Sequence, residues 1–229
     1  MSDSHPILIT GIPRSGSSMI AATINVCGAF GGNMSKRGMY GNDLIREQLV
    51  KPYLYRMGID KEGHYPLLKS ISIPRDWNES VNKILVSEGY KDGAWMYKDS
   101  RITPMWRVWN RAYKDAKWVI VRRKTTDILE SCIKTMYMFR FKDPTVQRYV
   151  GVNTERDGWL WMVHQYESYF KEMIQEGIHY KEIWPERMVQ KDFSQMYELC
   201  EWLGLQWNEE ALNYINTLLW GGKPNERRS

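Results

Sequence analysis

Residues 6–28 read PILITGIPRSGSSMIAATINVCG, and the fold turns on how this stretch is read. The apolar run Ile7, Leu8, Ile9 predicts a strand. Gly11 and Gly16 frame a short loop, and the small and apolar residues beyond it (Met19, Ile20, Ala21, Ala22, Ile24, Val26) predict a buried helix that Gly28 ends. A strand that feeds a helix through such a loop offers free backbone amides and the positive end of the helix dipole to an anion. Pro13, Arg14, Ser15, Gly16, Ser17 and Ser18 make up the loop and the first helical turn. Arg14 adds a full charge there, and Ser15, Ser17 and Ser18 add hydroxyl donors. The stretch is expected to hold a phosphorylated ligand. Against the nucleotide triphosphatase pattern G-x-x-x-x-G-K-[ST], residues 11–18 keep both glycines and the last hydroxyl but carry Ser17 in place of the lysine. The cation of this loop is therefore Arg14.

The rest of the chain extends the same pattern. An irregular loop rich in Gly and Asn is expected over 28–42, a helix over 43–57 that Pro52 breaks or kinks, and a loop or lid over 58–75. A helix from Asn78 to Ser87 precedes a strand at Ala94–Tyr97 that ends on Lys98 and Asp99. A helix over 104–114 precedes the strand KWVIV at 117–121, and a further helix follows over Thr125–Tyr137. Alternating strands and helices imply a parallel sheet, and ligands of such sheets sit at the carboxyl ends of the strands, where the loop at 11–18, Lys98 and Arg123 all fall. Residues 153–177 place Trp159, Met162, Val163, Tyr166, Tyr169, Phe170 and Met173 on one face, a core helix. A short strand is expected at Arg187–Gln190. A helix over 193–203 would be capped by Asp192 with Gln195 as its capping-box partner, and Asn208 would cap a last helix holding Leu212, Ile215 and Leu219.

Composition bounds the function. With 229 residues, 43% hydrophobic and 26% charged, one domain with one substantial core is expected over 1–229. The net charge of +5 favours anionic ligands but is not gathered into the basic stripe that nucleic acid requires. Cys27, Cys132 and Cys200 are odd in number and far apart, which implies neither a disulfide framework nor a zinc site. No run approaches the ~18 apolar residues of a membrane span, and MSDSHPILITG lacks the pattern of a signal peptide, so a cytoplasmic protein is expected.

A second anion site lies in KWVIVRRKTTDILES, residues 117–131. Arg122 and Arg123 end the strand, and Ser131 lies eight residues after Arg123, two turns into the following helix. Arg123, Asp127 and Ser131 stand in the pattern R-x-x-x-D-x-x-x-S. Together with GIPRSGSS about a hundred residues earlier, this resembles the sulfotransferases that use 3′-phosphoadenosine 5′-phosphosulfate (PAPS), in particular their compact bacterial and phage members. AWMYKDSR at 94–101, MVQKDF at 188–193 and WLGL at 202–205 also look like landmarks of that family. The resemblance implies an α/β, P-loop NTPase-like three-layer fold with a central parallel sheet flanked by helices. It implies PAPS as donor, 3′-phosphoadenosine 5′-phosphate (PAP) as product, and a metal-independent transfer. The 5′-phosphosulfate would rest on residues 13–18 and the 3′-phosphate on Arg123 and Ser131.

In that scheme Arg14 and the loop amides stabilise charge on the departing 5′-phosphate, and a base takes the acceptor's proton. Small relatives carry a glutamate in a G-x-[FY]-E-N context. The corresponding stretch here is Gly38-Met39-Tyr40-Gly41-Asn42, with Gly41 in the glutamate's place, which implies a slipped alignment, a base from elsewhere or an impaired enzyme. Glu47, Asp43 and His64 are the alternative bases, while Lys98 and Arg101 could contact the sulfuryl group or an anionic acceptor, or sit in a structural salt bridge. The acceptor stays open among sugar, lipid, peptide and small alcohol. A small-molecule kinase using ATP, and a non-catalytic PAPS or PAP binder, remain as alternatives.

Overall fold

The computed structural model describes residues 5–34, 39–64 and 72–215. Four strands form one parallel sheet: β1 (His5–Gly11), β2 (Ala94–Lys98), β3 (Lys117–Val121) and β4 (Tyr180–Ile183), in the spatial order β2-β1-β3-β4. Successive side chains on a strand point to opposite faces, so each strand feeds two cores. Leu8, Trp95, Tyr97, Trp118 and Ile120 enter one apolar cluster, while Ile7, Ile9, Met96, Val119 and Val121 enter the other. Both faces being covered is what a parallel sheet requires. This is the three-layer α/β arrangement expected from the sequence.

Helix α1 (Ser17–Val26) follows β1. The next helical segment, Asp43–Arg56, runs as α2 (Asp43–Ile45), a π turn at Arg46–Val50, and α3 (Lys51–Arg56). Pro52 falls in the first turn of α3, and the expected break is taken up by the π turn just before it, where a lost amide is tolerated. Then come α4 (Trp77–Ser87), α5 (Trp106–Ala112), α6 (Thr125–Lys134), α7 (Pro144–Val150) and α8 (Glu155–Gln175). The predicted apolar face of α8 is buried at Trp159, Met162, Val163, Tyr166, Phe170 and Met173. Gly158 lies on the same helix because the Phe141 ring fills the place of a side chain.

The C-terminal third departs from expectation. Arg187–Gln190 is not a strand: residues 185–189 form α9 (Pro185–Val189), opened by Pro185 in its first turn, and the strand is β4 instead. β4 is an edge strand in which Lys181 is half-buried and Glu182 exposed, so it lacks a continuous apolar run. In α10 (Ser194–Leu203), Asp192 accepts from the Ser194 amide at 3.1 Å, while Gln195 accepts from the Trp184 amide at 2.8 Å rather than closing a capping box. Asn208 opens a 3-10 turn, Glu209–Tyr214, in which Ala211 is buried and Leu212 is exposed; Leu219 lies outside the described residues. Residues 65–71 of the expected lid also lie outside them. No helix among the described residues is long and apolar enough to cross a membrane.

Candidate active site

The register places the site. Ile9 pairs with Lys98 and Gly11 with Val121, so the loop after β1, the end of β2 and the Arg123 segment share the carboxyl edge of the sheet. Gly11 is packed so closely that a β-carbon there would stand 2.7 Å from the Val121 carbonyl oxygen. The loop then turns on itself, with the Ser15 amide donating to the Ile12 carbonyl at 2.9 Å. Arg14 and Gly16 both adopt left-handed backbone, at φ 74° and 94°. That conformation is free for glycine and strained for arginine, a strain found where function demands a particular loop shape. Helix α1 begins with no side-chain cap and no acidic residue in its first turn, so its amides face the edge uncompensated. By contrast, Asn42, Asp143 and Thr154 cap α2, α7 and α8 with their side chains.

Arg14 joins the two halves of the site. Its Nε donates to Ser131 Oγ at 2.9 Å and its Nη1 to the Tyr137 hydroxyl, while Arg123 Nη1 donates to the Arg14 carbonyl at 2.9 Å. Burial lowers the affinity of Arg123 for its proton and Asp127 acts in the opposite sense. An arginine remains charged under either influence. Arg123 and Ser131 therefore flank Arg14, and Tyr137, to which no motif pointed, completes the group. Arg122 turns away: it pairs with Glu167 at 2.9 Å, and its guanidinium lies over the Phe170 ring.

A second cation reaches the loop from β2. Lys98 Nζ donates to Ser18 Oγ at 3.1 Å and to the Met39 carbonyl at 2.8 Å, and Ser18 also donates to that carbonyl at 3.2 Å. Burial lowers the Lys98 pKa to about 8; Asp99 opposes this, while Arg101, Arg46 and Arg14 reinforce it.

Several expected roles do not fit the geometry. Ser15 is fully buried: its amide is bonded to the Ile12 carbonyl, and its hydroxyl lies inward beside Gly11 with no hydrogen-bond partner among the described residues. Pro13, Gly16 and Ser17 stay half-buried along the loop and helix start, with Ser18 beside them. Arg101 is consumed internally: Nη1 holds Asp99 at 3.1 Å, Nη2 holds Glu62 at 3.1 Å and Nε donates to the Lys61 carbonyl. Glu47 is bound by Arg46 at 3.0 Å and Lys51 at 2.9 Å. Burial acts to raise its pKa, but those hydrogen bonds outweigh it and hold the carboxyl below its usual range. Asp43 pairs with Arg46. His64 is buried against Trp159 and Phe139, and burial pushes its pKa down to about 4, with Asp60 opposing. At Gly41 a β-carbon would stand 2.7 Å from the Lys98 carbonyl oxygen, so a side chain there requires the backbone to shift. Gly38 lies outside the described residues.

No protein-family model matches the chain, and no curated protein matches it. Solved structures do. Sulfotransferase STF9 from Mycobacterium avium superposes with a TM-score of 0.57 at 11% identity over 99% of this chain and 70% of its own. The sulfotransferase domain from the curacin biosynthetic pathway gives 0.57 at 14% identity over 94% of this chain and 79% of its own. The sulfotransferase domain from the Synechococcus PCC 7002 olefin synthase gives 0.57 at 12% identity, over 99% and 90%. At these identities the likeness is one of fold: the chain has the P-loop-like α/β fold of sulfotransferases.

Proposed function

We propose that the chain is a sulfotransferase that moves a sulfuryl group from PAPS to an acceptor hydroxyl or amine. The observation that carries this reading is the Arg14 bridge, which unites an uncapped helix N-terminus with the Arg123–Ser131 segment in one cationic site. When bound, PAPS supplies a sulfuryl group whose bond to the 5′-phosphate oxygen breaks as the acceptor's bond to sulfur forms, the electron pair leaving on PAP. The α1 amides, Ser17 and Ser18 hold the 5′ end, and Arg123 and Ser131 hold the 3′-phosphate. Arg14, between them, stabilises charge developing on the leaving phosphate. Lys98, bonded to Ser18, would neutralise the transferring oxygens.

The kinase alternative requires a strand-end carboxylate free to organise a metal. The carboxylate beside Lys98 is Asp99, which is bound on both oxygens by Arg101 and also by the Tyr97 hydroxyl at 3.1 Å. A nucleotide with a 3′-phosphate suits the double cation site better than ATP does. Calorimetric titration with PAP, ATP and 5′-AMP in EDTA tests the proposal. Selective PAP binding, weakened in Arg14→Ala and Arg123→Ala, is expected. ATP binding that requires Mg²⁺, with none for PAP, would refute it.

A further inference from the structure

Tyr137 belongs to neither anion motif of the sequence, yet it meets Arg14 in two ways. Its hydroxyl accepts from Arg14 Nη1, and the guanidinium carbon stands 5.6 Å from the centre of its ring. Ser131 Oγ accepts from Nε of the same guanidinium at 2.9 Å. Two hydroxyls thus hold one cation by two of its nitrogens. An arginine side chain is long and freely rotating, and the backbone under this one lies in the left-handed region at φ 74°, so its aim depends on outside partners. A guanidinium carries five N–H hydrogens. Among the described residues Ser131 and Tyr137 are its hydrogen-bond partners, which leaves the Nη2 group to face a phosphate without displacing either.

The Tyr137 side chain is 59% exposed, but the backbone that carries it is fixed on both sides. Toward α6, Thr135 Oγ1 donates to the Ser131 carbonyl at 2.6 Å and the Met138 amide donates to the Thr135 carbonyl at 3.1 Å, closing a turn around Tyr137. Beyond it Met138 and Phe141 are buried, Arg140 pairs with Asp60, and the Phe141 ring fills the space beside Gly158. Ser131 receives Arg14 with its hydroxyl and anchors this turn with its carbonyl, so the spacing of the two hydroxyls is set within one local unit, residues 131–138. A phenol on a pinned turn can hold another side chain in place at little further entropic cost.

We infer that Tyr137 is a positioning residue of the donor site, its hydroxyl holding the Arg14 guanidinium in the orientation that receives the donor's phosphate. The choice of ligand rests on the sulfotransferase reading above; the grip on Arg14 does not. A hydroxyl that merely masked Arg14 would compete with the ligand, so the sign of its effect on binding separates the two roles.

The test is a double-mutant cycle read by calorimetry: PAP is titrated into the native chain, Tyr137→Phe, Arg14→Ala and the double variant, with inorganic pyrophosphate titrated in parallel. Tyr137→Phe keeps the ring and removes only the hydroxyl, and should weaken PAP about fivefold to tenfold. In the Arg14→Ala background the same change should alter affinity by less than about twofold, because the side chain it aims is gone. Urea unfolding of Tyr137→Phe should match that of the native chain. Equal losses in both backgrounds would overturn the inference, as would native affinity in Tyr137→Phe, and tighter binding would make Tyr137 a mask instead. Pyrophosphate binding without PAP binding would count against the donor reading alone, because the same cycle on pyrophosphate still decides the role of Tyr137. A native chain that binds neither would overturn both.

Discussion

Lys98 makes the donor site sensitive to pH in a calculable way. In the ligand-free protein its pKa is lowered from 10.5 to about 8, chiefly by burial, with neighbouring arginines adding to the effect. An anion bound beside its Nζ favours the charged form. If the anion restores the ordinary value of 10.5, PAP affinity should fall roughly 80-fold, about 2.6 kcal/mol, as pH rises from 8 to 10.5. At pH 9 the free protein holds this proton in roughly a tenth of molecules and the complex in nearly all. Binding should then take up about 0.9 proton. Calorimetry in two buffers of different ionisation enthalpy reads that number directly, and at this pH the phosphate groups of PAP are already fully ionised. Lys98→Met should abolish the uptake and bind PAP with an affinity independent of pH, close to the weak high-pH limit of the native protein. Without ligand the linkage runs the other way for stability. Between pH 8 and 10.5 the unfolded chain holds the Lys98 proton that the folded chain has released, so this residue makes the fold more stable as pH rises. Proton uptake near zero at pH 9, or an equal uptake in Lys98→Met, would refute the reasoning.

Two glycines give steric tests. At Gly158 a β-carbon would overlap the Phe141 ring, so Gly158→Ala should cost a net ~1–2 kcal/mol in urea unfolding despite the better helix propensity of alanine, and should loosen the segment bearing Tyr137. Gly41→Ala should push the chain off the Lys98 carbonyl, cost about 1–3 kcal/mol and weaken PAP binding. Gly41→Glu, which installs the carboxylate of the related motif, should lower turnover; a gain would show that position 41 is the seat of a missing base.

Local patterns made much of this molecule legible. Ile7–Ile9, the glycine-framed loop and the small residues of α1 each encode a local conformation, as do KWVIV and the aromatic face of α8, and the structure has all of them. β4 escaped because an edge strand carrying Lys181 and Glu182 need not read as apolar, and the helix that Pro185 opens runs on into Arg187–Gln190, which read as a strand. The Arg14–Ser131 and Lys98–Ser18 contacts span 117 and 80 residues. They are set by the registers of β1 with β3 and β2, which no local pattern records. Ser15 looked equivalent to Ser17 and Ser18 in sequence, yet the turn at Arg14 rotates it inward.

The candidate bases lead to a constraint on the acceptor. Glu47 is held ionised by two cations, which makes it a weak proton acceptor, and His64, with its pKa near 4, is weaker than a free imidazole by more than two pH units. Gly41 supplies no side chain at all. A site rich in cations and poor in bases stabilises the leaving phosphate better than it activates the nucleophile, so the acceptor's own acidity must supply what these residues do not. Across a series of uncharged phenols of similar shape, kcat/KM should rise as the phenol becomes more acidic, and Glu47→Gln should leave that trend unchanged. A flat series, together with a large loss in Glu47→Gln, would mean that Glu47 leaves its ion pairs during turnover and serves as the base after all.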